Sequence, residues 1–108
     1  MAAEPDAATL QRLANLDPLL HAPARLAIMT YLYVVESADY IFLMRVTGLT
    51  WGNLATHLKK LEEAGYVLIE KEFRKKKPYS MLRLTEKGRL AYREYKGGLK
   101  EILDGLPE

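Results

Sequence analysis

The passage from Thr50 to Leu84 most narrows the folds open to this chain, because one amphipathic helix runs straight into two β-forming segments joined by consecutive cations. Trp51, Leu54, Leu58 and Leu61 recur at intervals of 3, 4 and 3 residues and make one apolar stripe along a helix from Trp51 to Ala64. The stripe places Trp51 in the core with the leucines. Thr50 suits the N-cap of this helix, and Gly65 ends it. Tyr66 to Phe73 (YVLIEKEF) and Tyr79 to Leu84 are rich in β-formers, and Arg74 to Pro78 between them reads as a turn or loop. Together they predict a hairpin with a basic tip.

The rest of the chain supplies helices. Met1 to Pro5 is expected to fray; from Asp6, Leu10, Leu13 and Leu16 follow helical spacing until Asp17-Pro18 stops them. A second helix begins near Ala22-Pro23 and runs to about Glu36, with Ile28, Leu32 and Val35 on one face. A short third helix covers Ile41 to Thr47 and closes at Gly48. The last opens at Thr85 as N-cap and reaches about Asp104, with Gly97-Gly98 as a local weak point. Helix, helix, short helix, helix, hairpin, helix is the order of a winged helix-turn-helix, mainly α with a two- to three-stranded β-wing. The 108 residues make one such domain, with the terminal helices (about 6–16 and 86–104) as dimerisation elements.

Composition removes other classes. With 49% hydrophobic and 28% charged residues the chain can bury a core and lies outside the disordered regime. Apolar runs such as Leu26 to Met29 fall far short of the roughly 18 residues a membrane span needs, and the first residues lack a signal-peptide pattern, so a cytoplasmic protein is expected. The absence of cysteine removes disulfides, thiol chemistry and thiolate metal sites. His21 and His57 stand far apart, which argues against zinc. No phosphate-binding glycine loop or nucleophile arrangement is present, so neither an enzyme nor a cofactor is expected.

The net charge of +2 hides an uneven distribution: residues 57–77 hold seven Lys and Arg against four acids, concentrated in Arg74, Lys75, Lys76 and Lys77. Duplex DNA is a polyanion whose major groove admits one α-helix, so a reader needs a helix with one buried face, one small polar face and flanking cations. Opposite the Trp51-Leu54-Leu58-Leu61 side lie Gly52, Asn53, Thr56, Lys59, Lys60 and Glu63, with His57 at the boundary. Gly52 allows close approach, Asn53 and Thr56 suit base edges, and Lys59 and Lys60 suit phosphates or guanine, with Thr50 at the start of the same face. Glu62 and Glu63 with Lys59 read as intrahelical surface pairs. The alternative is a winged-helix module that binds protein without touching DNA, in which exposed large apolar residues would replace the polar face.

These segments also resemble a known family. Leu49 to Val67 (LTWGNLATHLKKLEEAGYV) is similar to the recognition helix and first wing strand of small MarR-like winged-helix transcriptional regulators. Leu82 to Arg89 (LRLTEKGR) resembles their second wing strand and closing helix, and His21 to Ile28 (HAPARLAI) the opening of their first core helix. The resemblance covers about residues 19–97. It implies a dimeric DNA-binding regulator with Asn53, Thr56 and Lys60 at groove-reading positions and Arg74 to Lys77 in the wing. The chain is shorter than a typical MarR protein, whose longer terminal helices form the dimer interface and, in some members, an effector pocket; an effector is left open here. The related ArsR regulators often sense metals through cysteines, which this chain lacks.

Tyr92, Tyr95, Leu99, Ile102 and Leu106 recur at intervals of 3, 4, 3 and 4 residues, a heptad seam. With Leu10 and Leu13 they form the expected homodimer interface, Tyr92 and Tyr95, close to the wing, being equally suited to the protein's own core. A two-fold dimer predicts two half-sites in a pseudo-palindromic operator, which a repressor would occlude.

Overall fold

Helix boundaries in this protein follow its prolines, glycines and capping oxygens. The computed structural model describes residues 7–107; the expectations for Met1 to Asp6 lie outside them. Helix α1 spans Ala7–Ala14, and a 3-10 turn follows at Pro18–His21, where Asp17 accepts from the Leu19 N–H at 2.9 Å. Helix α2 (Pro23–Val35) opens on proline, whose missing N–H costs nothing in a first turn. Asp39 caps α3 (Tyr40–Thr47) by accepting from the Phe42 N–H at 2.7 Å, and Gly48 closes it in the left-handed region. Thr50 Oγ1 accepts from the Asn53 N–H at 3.2 Å and starts α4 (Trp51–Glu63). The final helix, α5 (Glu86–Asp104), begins at Thr85, whose Oγ1 accepts from the Gly88 N–H at 3.0 Å.

Strand β1 (Val67–Arg74) pairs antiparallel with β2 (Lys77–Leu84), in register from Val67 opposite Leu84 to Arg74 opposite Lys77. The hairpin is longer and its turn tighter than the predicted Arg74 to Pro78 loop. Arg74, Lys77 and Pro78 are rungs of the ladder, leaving only Lys75 and Lys76 at the tip, with φ of 50° and 65°. Positive φ at both central residues is what a two-residue hairpin turn needs to match the twist of its strands. The third strand shrinks to one bridge, in which Ala38 and Leu82 exchange backbone hydrogen bonds of 2.9 and 2.8 Å. The fold is a winged helix-turn-helix with a two-stranded wing.

The core gathers one face of every helix from α2 to α4 onto the base of the wing. Leu20, Ile28, Met29, Leu32, Leu43, Leu54, Leu58, Leu61 and Leu82 are fully buried. Each such side chain stabilises the fold by about 1.5–3 kcal/mol through water released from its surface. Two residues assigned to buried stripes lie outside. Val35 is the last residue of α2, where the chain turns away through Glu36 at φ 71°, and it is exposed. Trp51 opens α4 one turn before the core begins; it is 57% exposed, with its ring 4.6 Å from that of Tyr40.

Thr85 joins α5 to the end of α4. Its hydroxyl donates to the Gly65 carbonyl at 2.5 Å and its N–H to the Tyr66 carbonyl at 3.0 Å. Gly88 then presses directly on that backbone, where a Cβ would stand 2.1 Å from the Tyr66 oxygen. Tyr66 in turn donates its hydroxyl to Asp17, and burial followed by this carboxylate pushes the phenol pKa up to about 12. Helix α5 passes through Gly97-Gly98 without interruption, and Gly98 gives Leu16 room to approach.

Candidate nucleic-acid interface

Gly52, Asn53, Thr56, Lys59 and Lys60 are all exposed on α4, on the side away from buried Leu54, Leu58 and Leu61. Their chemistry is more restricted than residue type alone suggests. The Thr50 oxygen serves as the helix cap. Thr56 donates its hydroxyl proton to the Gly52 carbonyl at 2.9 Å, so toward a base it offers lone pairs and a methyl group. The Asn53 carboxamide makes no hydrogen bond among the described residues, which leaves its donor and acceptor together for a bidentate contact.

His57 sits half-buried at the edge of this face, with Nδ1 3.3 Å from Nη1 of Arg25. Burial, then the charges of Arg25 and Lys60, hold its pKa below the ordinary 6.5. The ring is therefore neutral at pH 7, accepting from Arg25 through Nδ1 and carrying its proton on Nε2. Arg25 is a participant that sequence reasoning missed; it lies 32 residues away, and no local pattern links the two.

The wing cations Arg74, Lys75, Lys76 and Lys77 are exposed. Arg74 lies over the Tyr79 ring at 4.1 Å and 4.0 Å from the Glu72 carboxylate. Glu70 is engaged by Arg83 at 2.6 Å, so the acids of β1 do not face the tip unpaired. Trp51 at the start of α4, Tyr40 and Ile41 at the start of α3, and Pro78 and Tyr79 of β2 line one 240 Å³ cleft, which brings the first residue of α4 near the strand that leads from the wing tip.

The family described as winged helix DNA-binding domain matches residues 24–103, from the start of α2 nearly to the end of α5. This chain belongs to that family. Its winged helix is 36% identical over 77 residues to the uncharacterized protein MJ0432 of Methanocaldococcus jannaschii, covering 71% of this chain and 84% of that protein. It superposes on a transcriptional regulator homologue from Pyrococcus horikoshii with a TM-score of 0.82 and 28% identity, covering 91% and 96% of the two chains. A MarR-family transcriptional regulator from Silicibacter pomeroyi shares the fold, with a TM-score of 0.62 and 20% identity over 87% of this chain and 65% of that one. The chain is thus a winged-helix DNA-binding domain whose fold is shared with that transcriptional regulator homologue and with the MarR-family protein. No helix among the described residues is long and apolar enough to cross a membrane.

The seven residues expected at a dimer interface divide into two groups. Tyr92 and Tyr95 belong to the core of the winged helix itself: Tyr92 stacks on Tyr33 at 4.8 Å, and the Tyr95 hydroxyl lies 3.0 Å from His21 Nδ1. Ile102 is also buried within the chain. The 3-and-4 spacing of α5 therefore first serves the chain's own fold, because α5 packs along α1 and α2. Leu13, Leu99 and Leu106 are half-buried and Leu10 is exposed, as is Leu103, which the seam omitted. Leu99 and Leu103 line an open apolar groove of 390 Å³ with Leu26, Thr30, Tyr92 and Tyr95.

Proposed function

We propose that the protein is a homodimeric, sequence-specific repressor that reads a pseudo-palindromic operator in the cytoplasm. Helix α4 enters the major groove, where Asn53 pairs with adenine, Thr56 accepts from an adenine or cytosine amino group or packs on a thymine methyl, and Lys60 reaches guanine or phosphate. Thr50, Gly52, His57 and Lys59 border that contact, and Arg74 to Lys77 lie on phosphates of the neighbouring groove. The observation that carries this reading is the exposure of a small polar face on α4, opposite buried Leu54, Leu58 and Leu61, together with four exposed cations at the tip of the wing. Dimerisation uses Leu10, Leu13, Leu99, Leu103 and Leu106, the apolar side chains that the protomer leaves wholly or partly uncovered.

Selection of bound duplexes from a random pool tests the reading, with enrichment of an inverted repeat as the expected result. On that operator, Asn53→Ala should cost about 1–3 kcal/mol while affinity for unrelated DNA changes little. Equal losses on both would remove Asn53 from base reading. A protein-binding module is favoured by one feature, the exposure of Ile41 and Trp51 beside α4. Recovery of no enriched sequence would favour that module.

A further inference from the structure

We infer that the aromatic cleft between α4 and the wing seats the sugar–phosphate backbone of the bound duplex, with Trp51 as its contacting residue. This rests on the DNA reading above. The cleft is walled by Tyr40, Ile41, Trp51, Pro78 and Tyr79. Trp51 is 57% exposed and Ile41 73%, and the Trp51 ring lies 4.6 Å from that of Tyr40 at 39°. Large apolar side chains left uncovered side by side mark a contact surface.

Its position names the occupant. One side is formed by Trp51, the first residue of the helix that enters the major groove, and by the start of α3, and the other by the strand that leads from the cationic tip. What separates two neighbouring grooves of a duplex is a single strand of backbone, and that ridge fills a cleft between a groove-reading helix and a wing. Deoxyribose presents C–H surface to an aromatic face, and the indole N–H, a donor only, matches a phosphate oxygen. Arg74, over the Tyr79 ring at 4.1 Å and 4.0 Å from the Glu72 carboxylate, adds a cation beside the cleft residue Tyr79. The one acid in the cleft, Asp39, is occupied: it accepts from the Phe42 N–H at 2.7 Å and from the Tyr79 hydroxyl at 3.1 Å, at the positive end of α3. A backbone contact carries no sequence information, so Trp51 adds affinity to every duplex and leaves discrimination to Asn53 and Thr56.

Trp51 is the only tryptophan in the chain, so its fluorescence reports this cleft alone. The experiment follows acrylamide quenching of the wild-type protein, excited selectively for tryptophan, without DNA and with a saturating mixed-sequence duplex of about two helical turns, with binding checked by gel shift. Shielding of Trp51 by the duplex is expected. Trp51→Ala, with folding confirmed by circular dichroism, should weaken operator and mixed-sequence DNA alike by roughly tenfold, and Trp51→Phe should recover part of the loss. A shifted complex in which Trp51 is quenched as in free protein overturns the inference while the DNA reading stands. A loss confined to the operator makes Trp51 a base reader and overturns the backbone assignment. Absence of any shift with wild-type protein overturns the DNA reading itself.

Discussion

Nη1 of Arg25 lies 3.3 Å from Nδ1 of His57, tying the first turn of α2 to the middle of α4. Arg25 Nε is itself held by the Leu19 carbonyl at 2.7 Å, so the guanidinium is a fixed strut behind the candidate reading helix. The pairing works only with a neutral imidazole, since a second cation would face the first.

Acidification should therefore weaken the fold through His57. Its folded pKa lies below the ordinary 6.5, chiefly from burial and then from Arg25 and Lys60. Near pH 6 the unfolded chain binds a proton that the folded chain refuses, so this contribution to stability is fully present above 6.5 and lost as pH falls toward the folded value. The Tm of wild type should drop between about pH 7.5 and 5.5 more steeply than that of His57→Asn. Parallel profiles in scanning calorimetry would dismiss the effect.

Two glycines of α5 should respond oppositely to alanine. Gly88→Ala drives a methyl to 2.1 Å from the Tyr66 carbonyl oxygen, a backbone atom that cannot yield without moving the wing base. A loss of about 3 kcal/mol is expected in urea denaturation. Gly98→Ala meets only the tip of Leu16 at 2.8 Å, and its gain in helix propensity, about 1 kcal/mol, should cancel that clash or exceed it. Similar losses from the two would mean that α5 does not approach the base of the wing as described.

The wing tip trades local stability for charge. Lys75 and Lys76 occupy left-handed backbone that Asn-Gly adopts far more easily. Replacing the pair by Asn-Gly should raise Tm by a few degrees and weaken DNA binding, lowering the slope of log K against log salt by about 0.9 for each phosphate contact removed. A raised Tm with an unchanged slope would take the two tip lysines out of the interface.

Leu103 is the sharper probe of dimerisation. It is 53% exposed, whereas Leu99 also packs against the protomer's own core. Leu103→Asp should leave the monomer folded, since an exposed position tolerates charge, while removing an apolar contact made twice in a two-fold interface, about 1.5–3 kcal/mol each. Sedimentation should show wild-type dimers and mutant monomers at micromolar concentration. Wild-type monomers, or an unaltered mutant dimer, would rule out this face.

The candidate site was readable wherever its signal is local. Exposure of Asn53, Thr56 and Lys60 follows from helical spacing, because three buried leucines on one side of α4 settle where the other side points. The restriction of Thr56 to an acceptor follows from its bond to Gly52, four residues back, a pattern available to any helical threonine. Arg25 behind His57, and Tyr40 beneath Trp51, were not readable. Each depends on two helices crossing at one particular place.

Helix starts and stops were determined by the sequence itself, because Thr50 and Thr85 act on N–H groups within three residues and Gly48 needs only its own backbone freedom. The order of elements followed from those signals, and the order was enough to imply the winged helix. Tertiary structure decided which apolar residues the core could reach. Trp51 continues the leucine stripe in sequence but lies beyond the last layer of packing, while Tyr92 and Tyr95, equally suited to a second subunit, are taken up by Tyr33 and His21 of the same chain. Periodicity specifies a face of a helix and leaves open what covers it, since burial is a property of the surfaces that meet and not of the segment that carries them.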